Sequence, residues 1–234
     1  MFNNFFRKKE KLTEIQKNML RYLSMFYETN KTLFTKDVNN QKEKKEIIKK
    51  IYVLLNYSNF PVLSNNQEMF ENSNIKVYRG ISALNEELLN SYINDFINGE
   101  TFYGGRASIY GTGIYSVIGA DSNIASEYAY DGGKNNCGVV IESVLANDSK
   151  IIEYSKIDEI RTLLFEKIRK MYDGEVEYFL NILEDDGALA SILGYDAIYV
   201  EDKNYMVILN RGKMIVNIDS LNIENTKSKN NQVR

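Results

Sequence analysis

The sequence predicts an α+β fold, with helices first and strands later and no regular alternation between them. In the first part of the chain, apolar residues recur at three- and four-residue intervals, as on the buried side of an amphipathic helix. In the last third, short runs rich in β-branched and aromatic residues alternate with polar turns. The 234 residues are 44% hydrophobic and 26% charged, the composition of a folded chain long enough for one large domain.

Two helices are predicted in the amino-terminal part of the chain. The first is indicated by apolar residues at helical spacing: Leu12, Ile15, Met19, Leu23 and Phe26. The second covers 44–56, and its buried side is formed by Ile47, Ile48, Ile51, Tyr52 and Leu55. Pro61 and the polar stretch 64–67 then interrupt the helical pattern. We therefore expect a helical segment over residues 1–72 that packs on the core of the protein.

The core is predicted over residues 73–220, followed by a polar tail over 221–234. It begins with a strand at 75–78 that ends in a loop at Arg79, and a helix follows with Ser82 near its start. Later strands are predicted at 139–144, 197–200, 205–209 and 213–216, and later helices at 157–171 and 176–183. The last two strands are expected to form a hairpin, whose turn is Asn210-Arg211-Gly212 with positive φ at the Asn and Gly. Asp185-Asp186 before an apolar helix are interpreted as its N-terminal cap and not as a metal pair.

The composition excludes several classes of chemistry. The chain has no histidine, which rules out Ser-His-Asp and Cys-His catalysis and histidine-ligated metals. Cys137 is the single cysteine, so a disulfide framework and a multi-cysteine metal site are also ruled out, and we expect this thiol to be inert. Catalysis would have to use carboxylates, Arg, Lys, Tyr, Ser or Thr, or a bound cofactor, and no metal is expected.

Charge is unevenly distributed along the chain. Residues 1–50 contain 13 Lys and Arg against 6 Asp and Glu, whereas the whole chain has a net charge of -3. The basic segment is either a solvated helical face or a contact for nucleic acid or an acidic partner. No apolar run approaches the ~20 residues of a membrane span, and the 2–6 stretch is too short for a signal-peptide core. We therefore expect no membrane association, and a location in the cytoplasm or delivery into the cytoplasm of a target cell.

Three segments carry more specific signals than composition does. The first is Val77-Tyr78-Arg79-Gly80. The second is Gly111-Thr112-Gly113-Ile114-Tyr115, followed by Ala125-Ser126-Glu127-Tyr128-Ala129. The third consists of Gly194-Tyr195-Asp196-Ala197-Ile198 and the later run from Asn204 to Gly212. The glycine-rich segment lacks the Lys-Ser/Thr ending of a P-loop and the spacing of a dinucleotide-fold fingerprint.

In this order, the three segments resemble the ADP-ribosyltransferase superfamily over about residues 75–217. The Arg-Gly opening is similar to that of the arginine-type toxins, the Gly-x-Gly-Ile-Tyr strand to that of the poly(ADP-ribose) polymerases, and the ending to the binary-toxin and phage-borne members. The resemblance implies a core of two small facing β-sheets with flanking helices and a cleft between them. It also implies NAD+ as co-substrate.

The resemblance assigns roles to individual residues. Arg79 would hold an NAD phosphate or order the nicotinamide ribose, and Gly80 would bond the nicotinamide carboxamide through its backbone. Gly113 and Tyr115 would belong to the strand that walls the nicotinamide pocket. Tyr128 would stack on the nicotinamide ring, with Tyr130 as the alternative. In a chain with 17 tyrosines, Tyr115 and Tyr128 could instead be core aromatics.

The main departure from the family concerns its catalytic glutamate. The toxin motif Glu-x-Glu falls on Asn204 and Met206 here, and a polymerase-like register also places the glutamate on Asn204. Asn204 could still bond a ribose hydroxyl, and Glu201 or Asp202 could supply the missing charge if their loop covers the cleft. The alternative for this loop is a solvated turn.

The resemblance therefore implies a mono-ADP-ribosyltransferase that cleaves NAD+ at the nicotinamide–ribose bond. ADP-ribose would pass to a macromolecular acceptor, with protein favoured over nucleic acid. Two alternatives stay open. One is an NAD+ glycohydrolase, and the other is a catalytically inactive member that binds a nucleotide or a partner as an inhibitor or adaptor.

Overall fold

The computed structural model describes residues 12–34, 41–99, 109–119, 122–130 and 137–221. Within these ranges the α-helices are α1 (Glu14–Thr29), α2 (Gln41–Leu54), α3 (Gln67–Asn72), α4 (Glu86–Ile97), α5 (Ser122–Tyr130), α6 (Tyr154–Tyr172), α7 (Glu177–Leu183) and α8 (Asp186–Ile192). The strands are β1 (Val62–Ser64), β2 (Lys76–Ala83), β3 (Ile114–Ile118), β4 (Cys137–Leu145), β5 (Ile151–Glu153), β6 (Ala197–Val200), β7 (Tyr205–Ile208) and β8 (Met214–Asn217). The presence of both helices and strands confirms the α+β prediction.

The eight strands form one hydrogen-bonded sheet in the order β1-β8-β4-β2-β3-β7-β6-β5. The pairs β1/β8 and β5/β6 are parallel, and the other pairs are antiparallel. The expectation of two separate facing sheets is therefore wrong, because hydrogen bonds join all eight of these strands in one sheet. The polar tail predicted over 221–234 lies almost entirely outside the described residues.

The pairing of strands in the sheet is shortest between the two central strands, β2 and β3. β2 and β4 pair along the whole of β2, from Lys76 to Ala83. In contrast, β2 and β3 pair only at Val77↔Ile118 and Tyr78↔Val117. Beyond Tyr78 the two strands have no further pairs, so the sheet opens at Arg79. This short contact is what joins the two halves into one sheet.

Each face of the sheet carries its own hydrophobic core. Alternate residues of β7 belong to different cores, as the period of a strand requires. Val207 packs with helices α1, α2, α6, α7 and α8, whereas Met206 packs with α4 and the inner side of β2, β4 and β8. The predicted helices α1 and α2 are confirmed, and they share the first of these cores with the carboxy-terminal helices. We call the side of the sheet that packs against α4 the α4 face.

The start of the core differs from the sequence prediction in two respects. β2 does not end before Arg79, because Ile81, Ser82 and Ala83 continue to pair with β4. Ser82 is therefore a strand residue, and α4 is capped instead by Asn85, whose side chain accepts a hydrogen bond from Leu88 N. The nine-residue partner strand β4 supplies the backbone bonds that extend β2.

The predicted hairpin at 210–212 is also wrong. β7 pairs with β3 and β6, whereas β8 pairs with β4 and β1, so the two strands lie in different parts of the sheet. The chain between them forms a 3-10 turn over Arg211–Lys213, and neither Asn210 nor Gly212 has a positive φ. The connection therefore crosses the sheet instead of reversing at its edge.

The helix α5 lies very close to two strands because both present glycine to it. A Cβ on Gly80 would lie 2.0 Å from the carbonyl oxygen of Ala125, and one on Gly138 would lie 1.8 Å from that of Ala129. Either methyl group would prevent the contact. Among the described helices, none is long and apolar enough to cross a membrane.

Candidate functional site

The fold brings the three motif segments onto neighbouring strands. Arg79 and Gly80 lie in β2, Tyr115 lies in β3, and the third segment contains β7. These strands are adjacent in the sheet in this same order. Residues that are widely separated in sequence thus meet at the place where β2 and β3 diverge.

Arg79 spans the opening between the two strands. Its Nη1 donates a hydrogen bond of 2.7 Å to the carbonyl oxygen of Tyr115, while its Nε is buried without a partner. Burial lowers the pKa of the guanidinium, because the charged form loses solvation. The residue as a whole is partly exposed, although its Nε is buried.

Three side chains form a row across the opening on the α4 face. The row consists of Arg79 in β2, Ser116 in β3 and Met206 in β7. Ser116 pairs directly with Met206. Arg79 is the residue after Tyr78, and Tyr78 pairs with Val117, the residue after Ser116. The Ser116 hydroxyl is buried without a hydrogen-bond partner. Met206, one of the two glutamate positions of the toxin motif, is only 3% exposed. The row therefore contains two unsatisfied donors and no carboxylate.

The glycine-rich segment is held by structural contacts. Gly111 has a φ of +88°, and a Cβ there would lie 2.1 Å from the backbone nitrogen of Gly187. The Thr112 backbone N–H and hydroxyl donate to the Asp185 carboxylate at 3.0 and 2.7 Å. A Cβ on Gly113 would lie 2.7 Å from Val207 Cγ1, so this glycine permits the close pairing of β3 and β7. These contacts explain the glycines without a bound phosphate.

The Tyr115 hydroxyl is also engaged within this segment. It donates to the carbonyl oxygen of Gly111 at 2.8 Å and accepts from the backbone N–H of Tyr110 at 2.9 Å. Burial raises the pKa of this phenol well above its ordinary value, so it stays protonated at neutral pH. Tyr115 packs against the helical core on the side of the sheet opposite to the α4 face.

Tyr128 lies beside Gly80, as the resemblance implies. Its Cβ is 2.9 Å from the position that a Cβ of Gly80 would take, and its side chain is 63% exposed. It is hydrogen-bonded to the side chain of Tyr205, which raises the pKa of Tyr205. Tyr128 is therefore not a core aromatic. Tyr130, the alternative, is the last residue of α5.

Asn204 lies in the turn before β7 with a φ of +53°. Its Nδ2 donates to the carbonyl oxygen of Ile118 at 3.1 Å, and its own carbonyl accepts from the Ile118 backbone N–H at 3.0 Å. Asn tolerates the left-handed conformation better than most residues, which suits this position. Its amide thus ties the turn to the end of β3.

Glu201 is exposed in the turn after β6, and its side chain contacts the start of α6. Its carboxylate accepts a hydrogen bond of 2.7 Å from the Ser155 hydroxyl. Burial acts to raise the pKa of this carboxyl, but bonds from Ser155, its own backbone and the backbone of Tyr154 hold the pKa below the ordinary value. The side chain acts as a cap for the helix, and Asp202 beside it is exposed.

Arg211 is the site residue that sequence reasoning missed. Interpreted as part of a turn, it is in fact completely buried on the α4 face. Its Nη2 donates to the carbonyl oxygen of Phe96, and its Nε and Nη1 have no partner. A sequence signal was present, because Arg211 lies in the short connection between two apolar strands.

Of the two aspartates at the start of α8, Asp185 caps the helix as predicted, whereas Asp186 does not. Asp185 Oδ1 accepts from Ala188 N at 2.9 Å and caps the helix, which confirms the interpretation as an N-terminal cap. Asp186 is buried and forms an ion pair with Arg161. Within the described residues, no group of acidic, cysteine or histidine side chains is arranged to hold a metal ion.

Comparisons with known proteins give no assignment for this chain. No family model, no curated protein and no solved structure matches it.

Proposed function

We propose that this protein is a mono-ADP-ribosyltransferase, which cleaves NAD+ and transfers ADP-ribose to a macromolecular acceptor. One observation carries the proposal: three motif segments that resemble the family meet on the adjacent strands β2, β3 and β7. A chance resemblance in sequence would not require them to be neighbours.

Arg79 would hold a phosphate of NAD+ at the opening of the sheet. A guanidinium suits an oxyanion because its planar N–H groups bind two oxygens at once. Among the described residues, the one hydrogen bond of the Arg79 guanidinium is that of Nη1, and the buried Nε is unpartnered. The bond to Tyr115 O keeps the side chain in place before a ligand arrives.

Tyr128 would stack on the nicotinamide ring beside Gly80. The tyrosine is largely exposed, and the glycine allows α5 to bring it close to β2. Its bond to Tyr205 orients the phenol ring, so little side-chain entropy is lost when a ring stacks on it.

In the reaction, the bond between the ribose C1′ and the nicotinamide nitrogen breaks, and nicotinamide leaves with the electron pair. The acceptor then forms a new bond to C1′ and loses a proton to solvent. This step needs positioning and electrostatic stabilisation more than a strong base, which suits a chain without histidine. If a water molecule is the acceptor, the same step is NAD+ hydrolysis.

A second candidate is a nucleotide-binding member without turnover. It is favoured by the absence of a carboxylate from the row of Arg79, Ser116 and Met206. Glu201 is occupied at the start of α6 and does not replace that carboxylate. The loss of one such stabiliser costs about 3 kcal/mol, or roughly a hundredfold in rate, by analogy with an oxyanion-hole donor.

The test is incubation of the protein with labelled NAD+ and a cell lysate, with released nicotinamide measured in parallel. A labelled macromolecule together with nicotinamide release supports the transferase. Nicotinamide release without label indicates hydrolysis, and NAD+ binding with neither product indicates the inactive module.

The matched variants are Arg79→Met and Arg21→Met. Both remove one positive charge, but Arg21 is exposed on α1. We expect Arg79→Met to weaken NAD+ binding by on the order of tenfold to a hundredfold, the value of hydrogen bonds to a charged group. Unchanged affinity in Arg79→Met would overturn the assignment of Arg79.

A further inference from the structure

We propose that Arg211 and Arg79 together form a binding site for a phosphate-type oxyanion on the α4 face of the sheet. Arg211 has no part in the resemblance that led to the proposed function, and its role follows from its position in the fold. The inference rests on the proposed function only in that Arg79 belongs to both.

Arg211 presents unused hydrogen-bond donors inside the protein. Its side chain is 0% exposed, and its guanidinium carbon lies 4.8 Å from the centroid of the Phe96 ring. One nitrogen donates to the Phe96 carbonyl oxygen, but Nε and Nη1 are buried without a partner. Buried polar groups are nearly always satisfied, so two free N–H groups on one guanidinium require an explanation.

The burial of Arg211 is built into the backbone around it. Its N–H donates to the carbonyl oxygen of Ser58 at 3.2 Å. The preceding Asn210 donates to the Asp196 carboxylate at 2.8 Å and accepts from the N–H of Gly212 at 3.2 Å. The 3-10 turn is therefore fixed on both sides of Arg211, and the side chain cannot reach solvent by a simple change of the turn.

The path of the chain places Arg211 over the opening of the sheet. The segment from β7 to β8 must pass across β3, β2 and β4, which lie between these two strands in the sheet. It leaves β7 where Ile208 pairs with Ile114 and joins β8 where Met214 pairs with Leu145. Arg79 occupies the central strand of this crossing, on the same face as Phe96.

The two guanidinium groups act on each other electrostatically. Burial and then the neighbouring charge of Arg79 lower the pKa of Arg211 to about 10. Arg211 therefore stays protonated at neutral pH, and burial lowers the pKa of Arg79 as well. No carboxylate among the described residues forms an ion pair with either of them, and unpaired buried charges are costly.

A phosphate-type anion would satisfy this arrangement. Three buried N–H groups are unpartnered, Nε of Arg79 and both Nε and Nη1 of Arg211, and the Ser116 hydroxyl is a further unsatisfied group in the row. Two positive charges are neutralised by a dianion, and guanidinium groups bind phosphate oxygens in pairs. Since Arg211 is fully buried and the Arg79 residue is partly exposed, the anion would enter past Arg79. The phosphate would be free phosphate or part of a nucleotide.

The experiment measures thermal unfolding of the full chain with inorganic phosphate, inorganic pyrophosphate or ADP-ribose, each at increasing concentration. We expect the Tm of the wild type to rise with the anion. In Arg211→Met this rise should be lost, which corresponds to an affinity weakened by on the order of tenfold or more. Arg21→Met is the control for charge and should keep the whole rise.

A rise with phosphate or pyrophosphate identifies a free-anion site, and a rise with ADP-ribose alone identifies a nucleotide phosphate site. An absent rise with all three ligands, or an equal rise in wild type and Arg211→Met, overturns the inference. If Arg211→Met does not fold, Arg79→Met gives the same test, because Arg79 supplies the other guanidinium group of the site and the residue is not fully buried.

These outcomes are separate from those of the proposed function, since no ligand here contains nicotinamide. A protein that binds pyrophosphate through Arg211 but does not cleave NAD+ refutes the function and keeps the site. Nicotinamide release with anion binding unchanged in Arg211→Met refutes the site and keeps the function.

Discussion

The guanidinium of Arg79 and the carbonyl oxygen of Tyr115 are joined by a hydrogen bond of 2.7 Å across the opening between β2 and β3. Because β2 and β3 diverge here, the Tyr115 carbonyl oxygen has no backbone partner in β2, and the Arg79 side chain takes that place. It also fixes the arginine before any ligand is bound. The same side chain therefore holds the two halves of the sheet together and offers a free Nε to an anion.

The first prediction concerns Tyr128 and nicotinamide. We expect Tyr128→Ala to weaken NAD+ binding more than ADP-ribose binding, because only NAD+ contains the ring that would stack, and stacking adds about 1 kcal/mol beyond burial. Tyr128→Phe should keep the stacking and lose only the bond to Tyr205. Calorimetric titration with both ligands makes the comparison.

Tyr130→Ala is the control, since Tyr130 is the alternative stacking residue on α5. If Tyr130→Ala shows the selective loss and Tyr128→Ala does not, the assignment moves to Tyr130. An equal loss of both ligands in Tyr128→Ala would mean that the residue supports the site without touching nicotinamide.

The second prediction concerns the contact between α5 and β2. Gly80→Ala places a methyl group 2.0 Å from the Ala125 carbonyl oxygen, so the helix must move. We expect a loss of roughly 1–3 kcal/mol in the free energy of unfolding, as for other overpacked sites. Urea denaturation measures it. Ser82→Ala, on the same side of the same strand, is the control and should change the free energy of unfolding by less. Equal stability of wild type and Gly80→Ala would show that α5 does not pack as described.

The third prediction concerns Asp185, which links the glycine-rich segment to α8. Its carboxylate accepts bonds from Thr112 N, Thr112 Oγ1 and Ala188 N. We expect Asp185→Ala to lower the free energy of unfolding by roughly 1–3 kcal/mol, since a cap and two loop bonds are lost together. Thr112→Val removes only the hydroxyl bond and should cost less. A smaller loss in Asp185→Ala than in Thr112→Val would contradict this role.

The fourth prediction concerns Glu201 and pH. The pKa of its carboxyl is lowered from 4.5 in the folded protein, so the ionised group stabilises the fold above pH 4.5. That contribution is lost as the pH falls through the folded-state pKa. Glu201→Gln should therefore be less stable than wild type at neutral pH, by up to about 1 kcal/mol because the site is exposed, and equally stable in acid.

Glu153→Gln provides a matched control at the same helix. Glu153 occupies the N-cap position of α6 but makes no side-chain cap bond. Its substitution should leave the pH dependence of stability close to that of wild type. Nicotinamide release should be the same in wild type and Glu201→Gln, and a reduced rate with unchanged NAD+ affinity would instead return Glu201 to the chemistry.

Much of the local structure could be predicted from sequence periodicity. The buried stripes of α1, α2 and α6 and the apolar run of β4 are patterns over ten or so neighbouring residues, and the structure contains these elements. Helices α3 and α5 and the strands β1 and β5 were not predicted. β1 is three residues long and is stabilised by its pairing with β8, which lies far away in sequence.

The candidate site shows the same division. Arg79, Gly80 and Tyr128 were recognised because their neighbours in sequence form a motif, and the structure does bring Gly80 and Tyr128 together. Arg211 was missed because its environment comes from other parts of the chain: Phe96 on α4, Ser58 before β1, and Arg79 on β2.

The amino-acid sequence by itself determined the α+β class, most of the helices and strands, and the absence of histidine and cysteine-cluster chemistry. Only the tertiary structure decided that β7 and β8 lie on opposite sides of β2, and hence that the segment between them crosses the sheet. The reason is that periodicity reports which side of an element is buried, whereas the order of strands depends on pairing between distant segments. An arginine that would be solvated in a hairpin turn is thereby buried beside a second arginine.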